Sequence, residues 1–133
     1  MLDHLTPIPF TDIPLHVSVL RQEGYRLVTA TCVDTGAGHE ITYHFDKAYQ
    51  LRHLRVELKP GNILPSISHV FFTALIVENE IKDMFGVQVS NMAIDFQGRF
   101  LLTEKAPKAP MNKKPYGIDI DVRTQPPATP GNA

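Results

Sequence analysis

Two short runs near the middle of the chain restrict the fold more than anything else in it. From Glu40 to Asp46, Ile41, Tyr43 and Phe45 alternate with Thr42 and His44; further on, Leu54, Val56 and Leu58 alternate with Arg55, Glu57 and Lys59. Two-residue alternation sends one set of side chains to each face of an extended strand. A strand that is apolar on one face and polar on the other belongs in an antiparallel sheet with one side covered and one side wet. Tyr25 to Asp34, rich in β-branched residues, supplies a third strand. Strict alternation places Leu27, Thr29, Thr31 and Val33 on one of its faces and Val28, Ala30 and Cys32 on the other. Thr35-Gly36-Ala37-Gly38 reads as a hairpin turn. No helix follows it, so its glycines do not form a phosphate cradle.

Helical spacing brackets these strands. Thr11 can cap a helix over Asp12 to Glu23, with Pro14 tolerated in the first turn; Ile13, Val17 and Leu20 face one way and Gly24 stops the run. Pro60-Gly61 ends the third strand, and the stretch Pro65 to Val89 carries the second helix. Ser68 has the chemistry of its N-cap and Gly86 that of a left-handed residue closing it. On the wheel, Ala74, Val77, Ile81, Met84 and Phe85 gather on one side; Asn79, Glu80 and Asp83 fall opposite, with Ile76 among them. Glu78 and Lys82 are spaced as an i,i+4 pair between the faces. The expected architecture is α+β: a two-layer sandwich of helix, three-stranded antiparallel sheet and helix, followed by an extended tail.

Met1 to Phe10 is expected to be an irregular lead. Ile94 and Phe96, then Phe100-Leu101-Leu102, allow a short strand or hairpin. Residues 1–104 form the domain; residues 105–133, with their prolines and lysines, lack periodicity and are expected to be extended or disordered. Tyr116, Ile118 and Ile120 alternate within that tail, so a partner could order them as an added strand.

The 133 residues suffice for one core, and a net charge of −1 leaves no footprint for nucleic acid. Cys32 is the single cysteine, which excludes an internal disulfide and an iron–sulfur cluster held by this chain alone. No apolar run approaches the ~20 residues that cross a bilayer, and the start of the chain lacks a basic signal-peptide region. The expectation is a soluble, cytoplasmic protein, carried to any membrane by a partner.

Glu80 and Asp83 are like charges three apart, and Asp83 lies at the negative end of the helix dipole. Either this is a solvated face that tolerates a small penalty, or it is an acidic patch kept for a cationic partner. Glu78, Glu80 and Asp83 are expected to be too exposed for strong pKa tuning. His44 and His53 sit on neighbouring strands and could approach one another, but no metal-ligand spacing is present. Cys32 is expected to be a small core residue. Ser66 and Ser68 are expected to serve the loop and the cap.

Glu78-Asn79-Glu80-Ile81-Lys82-Asp83-Met84-Phe85-Gly86-Val87, preceded by Pro65-Ser66-Ile67, resembles the signature of the 30 kDa subunit family of respiratory complex I. That family includes the small subunit of energy-converting nickel–iron hydrogenases. The resemblance implies a cofactor-free, non-catalytic subunit of a membrane-associated electron-transfer complex, peripheral to the inner membrane. It would dock on the large nickel–iron-type subunit, with iron–sulfur subunits beside it. Glu78, Glu80, Asp83, Phe85 and Gly86 would be the partner-binding or interface-shaping positions. Asn79 departs from the arginine usual in the signature, and residues 91–99 fit the NADH-oxidising branch poorly, which favours the hydrogenase type. Two other readings remain open: a self-associating binding module that forms a homodimer, and a small enzyme using His44 or His53 as a general base.

Overall fold

The computed structural model describes residues 4–97 and 108–112. In chain order these form β1 (Leu5–Pro7), a 3-10 turn at Phe10–Asp12, α1 (Ile13–Gln22), β2 (Arg26–Asp34), β3 (His39–Lys47), β4 (Gln50–Leu58), β5 (Ile63–Pro65), α2 (Ala74–Phe85) and β6 (Gln88–Ser90). Expectations for residues 98–107 and 113–133 fall outside the described residues.

The alternating runs do what their pattern requires. Ile41, Tyr43 and Phe45 of β3 and Leu54, Val56 and Leu58 of β4 are buried in one core with Ile13, Val17 and Leu20 of α1 and Ala74 and Ile81 of α2. Each such side chain, fully buried, contributes roughly 1.5–3 kcal/mol relative to exposure. Both helices therefore cover the same face of the sheet, and the α+β two-layer expectation holds. The Thr35–Gly38 segment is the expected hairpin turn, closed by the Thr35 amide donating to the Gly38 carbonyl over 3.0 Å. Gly38 must be glycine: a Cβ there would lie 2.1 Å from the Leu58 carbonyl oxygen.

The sheet has four strands, in the order β1-β4-β3-β2. The added strand comes from the expected irregular lead. Leu5–Pro7 runs parallel to β4, opposite His53–Arg55. Three residues with a proline carry no legible periodicity, and Pro7 is tolerated because β1 lies at the sheet edge. The same brevity hides β5 and β6, which pair in parallel as a separate two-stranded sheet bracketing α2 in sequence.

Strict alternation fails in β2. Leu27 pairs with Phe45 and Thr29 with His44, so Val28 is an extra residue that shifts the register. Such a bulge flips the parity of everything after it. Leu27 is buried, and beyond the bulge Ala30 and Cys32 pack on the core while Thr29, Thr31 and Val33 are exposed. Cys32, expected as a small core residue, is partly buried against the core, and its burial pushes the thiol pKa up to about 12.

Both helix starts also differ from expectation. Asp12 rather than Thr11 precedes α1, without a side-chain cap bond, because the Phe10–Asp12 turn already leads into it. The second helix begins at Ala74, not after Ser68; residues 67–73 wind through turns in which Val70 and Phe71 both donate to the Ile67 carbonyl. Ser68 is buried and otherwise engaged. The other end agrees with the sequence. Gly86 takes φ 71°, and its amide donates to the Lys82 carbonyl over 2.9 Å.

A candidate docking surface on the second helix

The polar residues of α2 divide into those that hold loops and those that meet solvent. Glu78 is 1% exposed. Its carboxylate accepts from the Ser66 hydroxyl at 2.6 Å and from the Ile67 amide at 2.7 Å. Since the Ser66 proton is committed to Glu78, the Ser68 hydroxyl donates to Ser66 Oγ over 2.8 Å and itself accepts from the Ala93 amide at 2.8 Å. One carboxylate therefore anchors both the segment before the helix and the one after β6. Burial raises the Glu78 pKa above the ordinary carboxylate value; the Ser66 and Ile67 hydrogen bonds and the charge of His69 oppose that rise without cancelling it. Close by in the core, the Tyr43 hydroxyl is buried with no hydrogen-bond partner among the described residues. Its proton is held on by burial first and by the charge of Glu78 second. The expectation that Glu78 is too exposed for pKa tuning is overturned, because β5 and its following turn close over it.

Asn79 is 0% exposed. Its amide nitrogen donates to the carbonyls of Leu75 and Ile94, at 2.9 and 3.0 Å, and its oxygen accepts from the Phe96 amide at 3.1 Å. Lys82 binds both oxygens of Asp95, at 2.9 and 2.8 Å. It is thus not the helix-surface partner of Glu78 that the i,i+4 spacing suggests. The departure at position 79 is a built contact: a compact amide fills a site that fastens residues 94–96 to the helix.

Asp83 is also buried, at 2% exposure, so the supposed wet face of Asn79, Glu80 and Asp83 keeps only Glu80 in solvent. The wheel misplaces Asn79 because residues 94–96, beyond β6, are fastened over it. Phe85 is half-buried, edge-on to the His39 ring at 5.8 Å. His39 Nε2 in turn donates to Asn112 Oδ1 over 2.8 Å. Residues 108–112, within the segment expected to be tail, form a turn seated here: the Met111 amide donates to the Met84 carbonyl at 2.7 Å. That bond satisfies one of the carbonyls a helix end leaves open. Gly86 is needed twice, for its left-handed φ and because a Cβ would meet Ala109 Cβ at 3.2 Å.

What α2 and the turn leading into it show to solvent is apolar and acidic. Phe72 is 65% exposed and Ile76 51%, with the exposed Glu80 four residues further on. Ile94 and Phe96, also exposed, stand on the segment that Asn79 fastens alongside. Sequence spacing had isolated Ile76 on the polar face but missed Phe72, Ile94 and Phe96. An apolar residue alone among polar ones was the available signal.

His44 and His53 do meet, with Nδ1 to Nδ1 at 2.7 Å, and Thr31 Oγ1 lies 3.3 Å from His44 Nε2. Each ring thus occupies a nitrogen of the other. Among the described residues no group of three or more His, Cys, Asp or Glu could hold a metal ion. No described helix is long and apolar enough to cross a membrane.

A family model described as the respiratory-chain NADH dehydrogenase 30 kDa subunit matches residues 8–118. The chain belongs to that family. The match takes in β2 to β6, both helices and the 108–112 turn, and begins just after β1. Among solved structures, a chain of the membrane-bound sulfane sulfur reductase, an archaeal respiratory membrane complex, is similar with a TM-score of 0.63 at 18% identity. The likeness covers 76% of this 30 kDa-type chain and 64% of that one, so it spans less than two thirds of the neighbour. At that identity it speaks for the fold. No curated protein sequence matches.

Proposed function

We propose that this 30 kDa-type chain is a structural, non-catalytic subunit of a membrane-associated electron-transfer complex, of the energy-converting hydrogenase kind in preference to the NADH-oxidising kind. It docks on the large nickel–iron-type subunit, with iron–sulfur subunits in the same assembly, and is peripheral to the membrane through them. The observation that carries the reading is the exposed set of Phe72, Ile76 and Glu80 beside Ile94 and Phe96, on the helix that bears the family signature and the turn that leads into it. A helix and leading turn offering aromatic and aliphatic side chains with an acidic neighbour suit a partner groove with a cationic rim. Glu80 contacts the partner. Glu78, Asp83, Phe85 and Gly86 shape the surface from behind by fixing the segments that frame it. Electron carriers are left to neighbouring subunits.

Replacing Ile76 by Asp and Glu80 by Lys changes only exposed positions, so the chain should fold with an unaltered circular dichroism spectrum. Tagged wild-type chain recovered from native membranes should bring a nickel–iron-type large subunit, identified by mass spectrometry. The double variant should lose it. Recovery of that subunit by both proteins to the same extent would sink the docking surface. Recovery of none by the wild type would sink the subunit reading.

A further inference from the structure

The β3–β4 hairpin turns over Ala48 and Tyr49, both at positive φ, 50° and 69°. Lys47 pairs with Gln50, so the loop has two residues. Strand twist favours this left-handed turn, and it is ordinarily built from Asn-Gly because a larger side chain crowds its own backbone there. Here neither position is Asn or Gly. The β3–β4 ladder holds the turn in place, and the Tyr49 side chain itself, 100% exposed, packs on nothing among the described residues that would favour it there. Leu51, two residues on, is 50% exposed.

Behind the tip the charge leans one way. Lys47 Nζ and the Arg52 guanidinium stand 5.8 and 5.7 Å from the centroid of the Tyr25 ring. Arg26 is matched by Asp46 at 2.6 Å, which leaves the two other cations in excess around this cluster. Strain held at an exposed position is a mark of function, and tyrosine and arginine are enriched at interface hot spots. The tip also lies at the far end of β3 from His39, where the 108–112 turn is bound. It lies instead at the Phe72 end of the molecule: Arg26 borders both the hollow beside Phe72 and the one beside Ala48 and Tyr49.

We infer that the Ala48–Tyr49 tip is a second docking point: Tyr49 enters an apolar pocket edged by carboxylates on a neighbouring subunit of the assembly. The inference rests on the chain being an assembled subunit, and its test separates the two ideas. Ala48→Asn with Tyr49→Gly relaxes the turn, so the purified chain should melt several degrees higher. In cells the same variant should remain in the membrane complex at least tenfold less than wild type after a salt wash, while Tyr49→Phe is retained. A photo-reactive benzoylphenylalanine replacing Tyr49 should crosslink to an acidic segment of another subunit in the wild-type complex. Undiminished retention of the double variant, or crosslinking only to a second copy of this chain, would overturn the tip as a docking point and leave the subunit reading intact. A wild-type chain migrating free of any complex would overturn both.

Discussion

At the scale of single residues, α2 shows why a signature residue need not touch the partner it serves. Glu78 lies in the core and holds two segments through Ser66, Ile67 and Ser68. Burial leaves the folded chain holding the Glu78 proton at pH values above the ordinary 4.5, where the unfolded chain has released it. The folded state then binds more protons, so stability falls as pH rises from about 4.5 through the raised value. Glu78→Gln keeps the shape and removes the titration. The urea midpoint of the wild type should therefore decline relative to that of Glu78→Gln across this window; parallel profiles would mean that Glu78 titrates normally. Asn79 teaches the complementary lesson. The sequence shows only a missing cation, whereas the structure shows three hydrogen bonds that no helical wheel contains.

At the scale of elements, periodicity is legible where a strand or helix is long enough to repeat and breaks down where one residue disturbs the count. β3, β4 and the inward face of α1 follow their sequences because packing on one side enforces the period. Val28 cannot be recognised as a bulge from composition, since both parities of β2 contain apolar residues. β1, β5 and β6 are three residues each, too short for any period to show. The docking surface was half legible: Ile76 stood out, while Ile94 and Phe96 depend on a loop whose attachment is tertiary. The β3–β4 pair makes its own prediction. Burial comes first in lowering the pKa values of His44 and His53; the charge of His53 then adds to it at His44, that of His4 at His53, and Arg55 at both. Between those lowered values and 6.5 the unfolded chain binds more protons, so the contribution is complete above 6.5 and lost as pH falls. The urea midpoint should drop as pH falls from 6.5 through the lowered values, and His44→Gln should flatten that drop. An equal slope in the variant would place the acid sensitivity elsewhere.

At the scale of the whole molecule, the surface carries more apolar side chains than a solitary domain needs. Leu15 and Val19 are exposed on α1, Phe72 and Ile76 at α2, and Val28, Val33 and Leu51 on strands of the main sheet. Scattered singly these would be ordinary, but Leu15 and Val19 stand one helical turn apart on α1, and Phe72, in the turn before α2, precedes the helical Ile76 by four residues. A subunit made without its partner must leave such pairs in water or bury them against another copy. Purified chain should therefore sediment with a mass that rises with concentration. Phe72→Ser with Ile76→Ser should hold it closer to the monomer without lowering the melting temperature, because exposed substitutions of this kind usually change stability by no more than about 0.5 kcal/mol. Association that persists unchanged in this variant would move the sticky surface to α1 or the sheet. A wild type that stays monomeric at every concentration would mean that the α2 surface is too small to associate without the complementary groove of a partner.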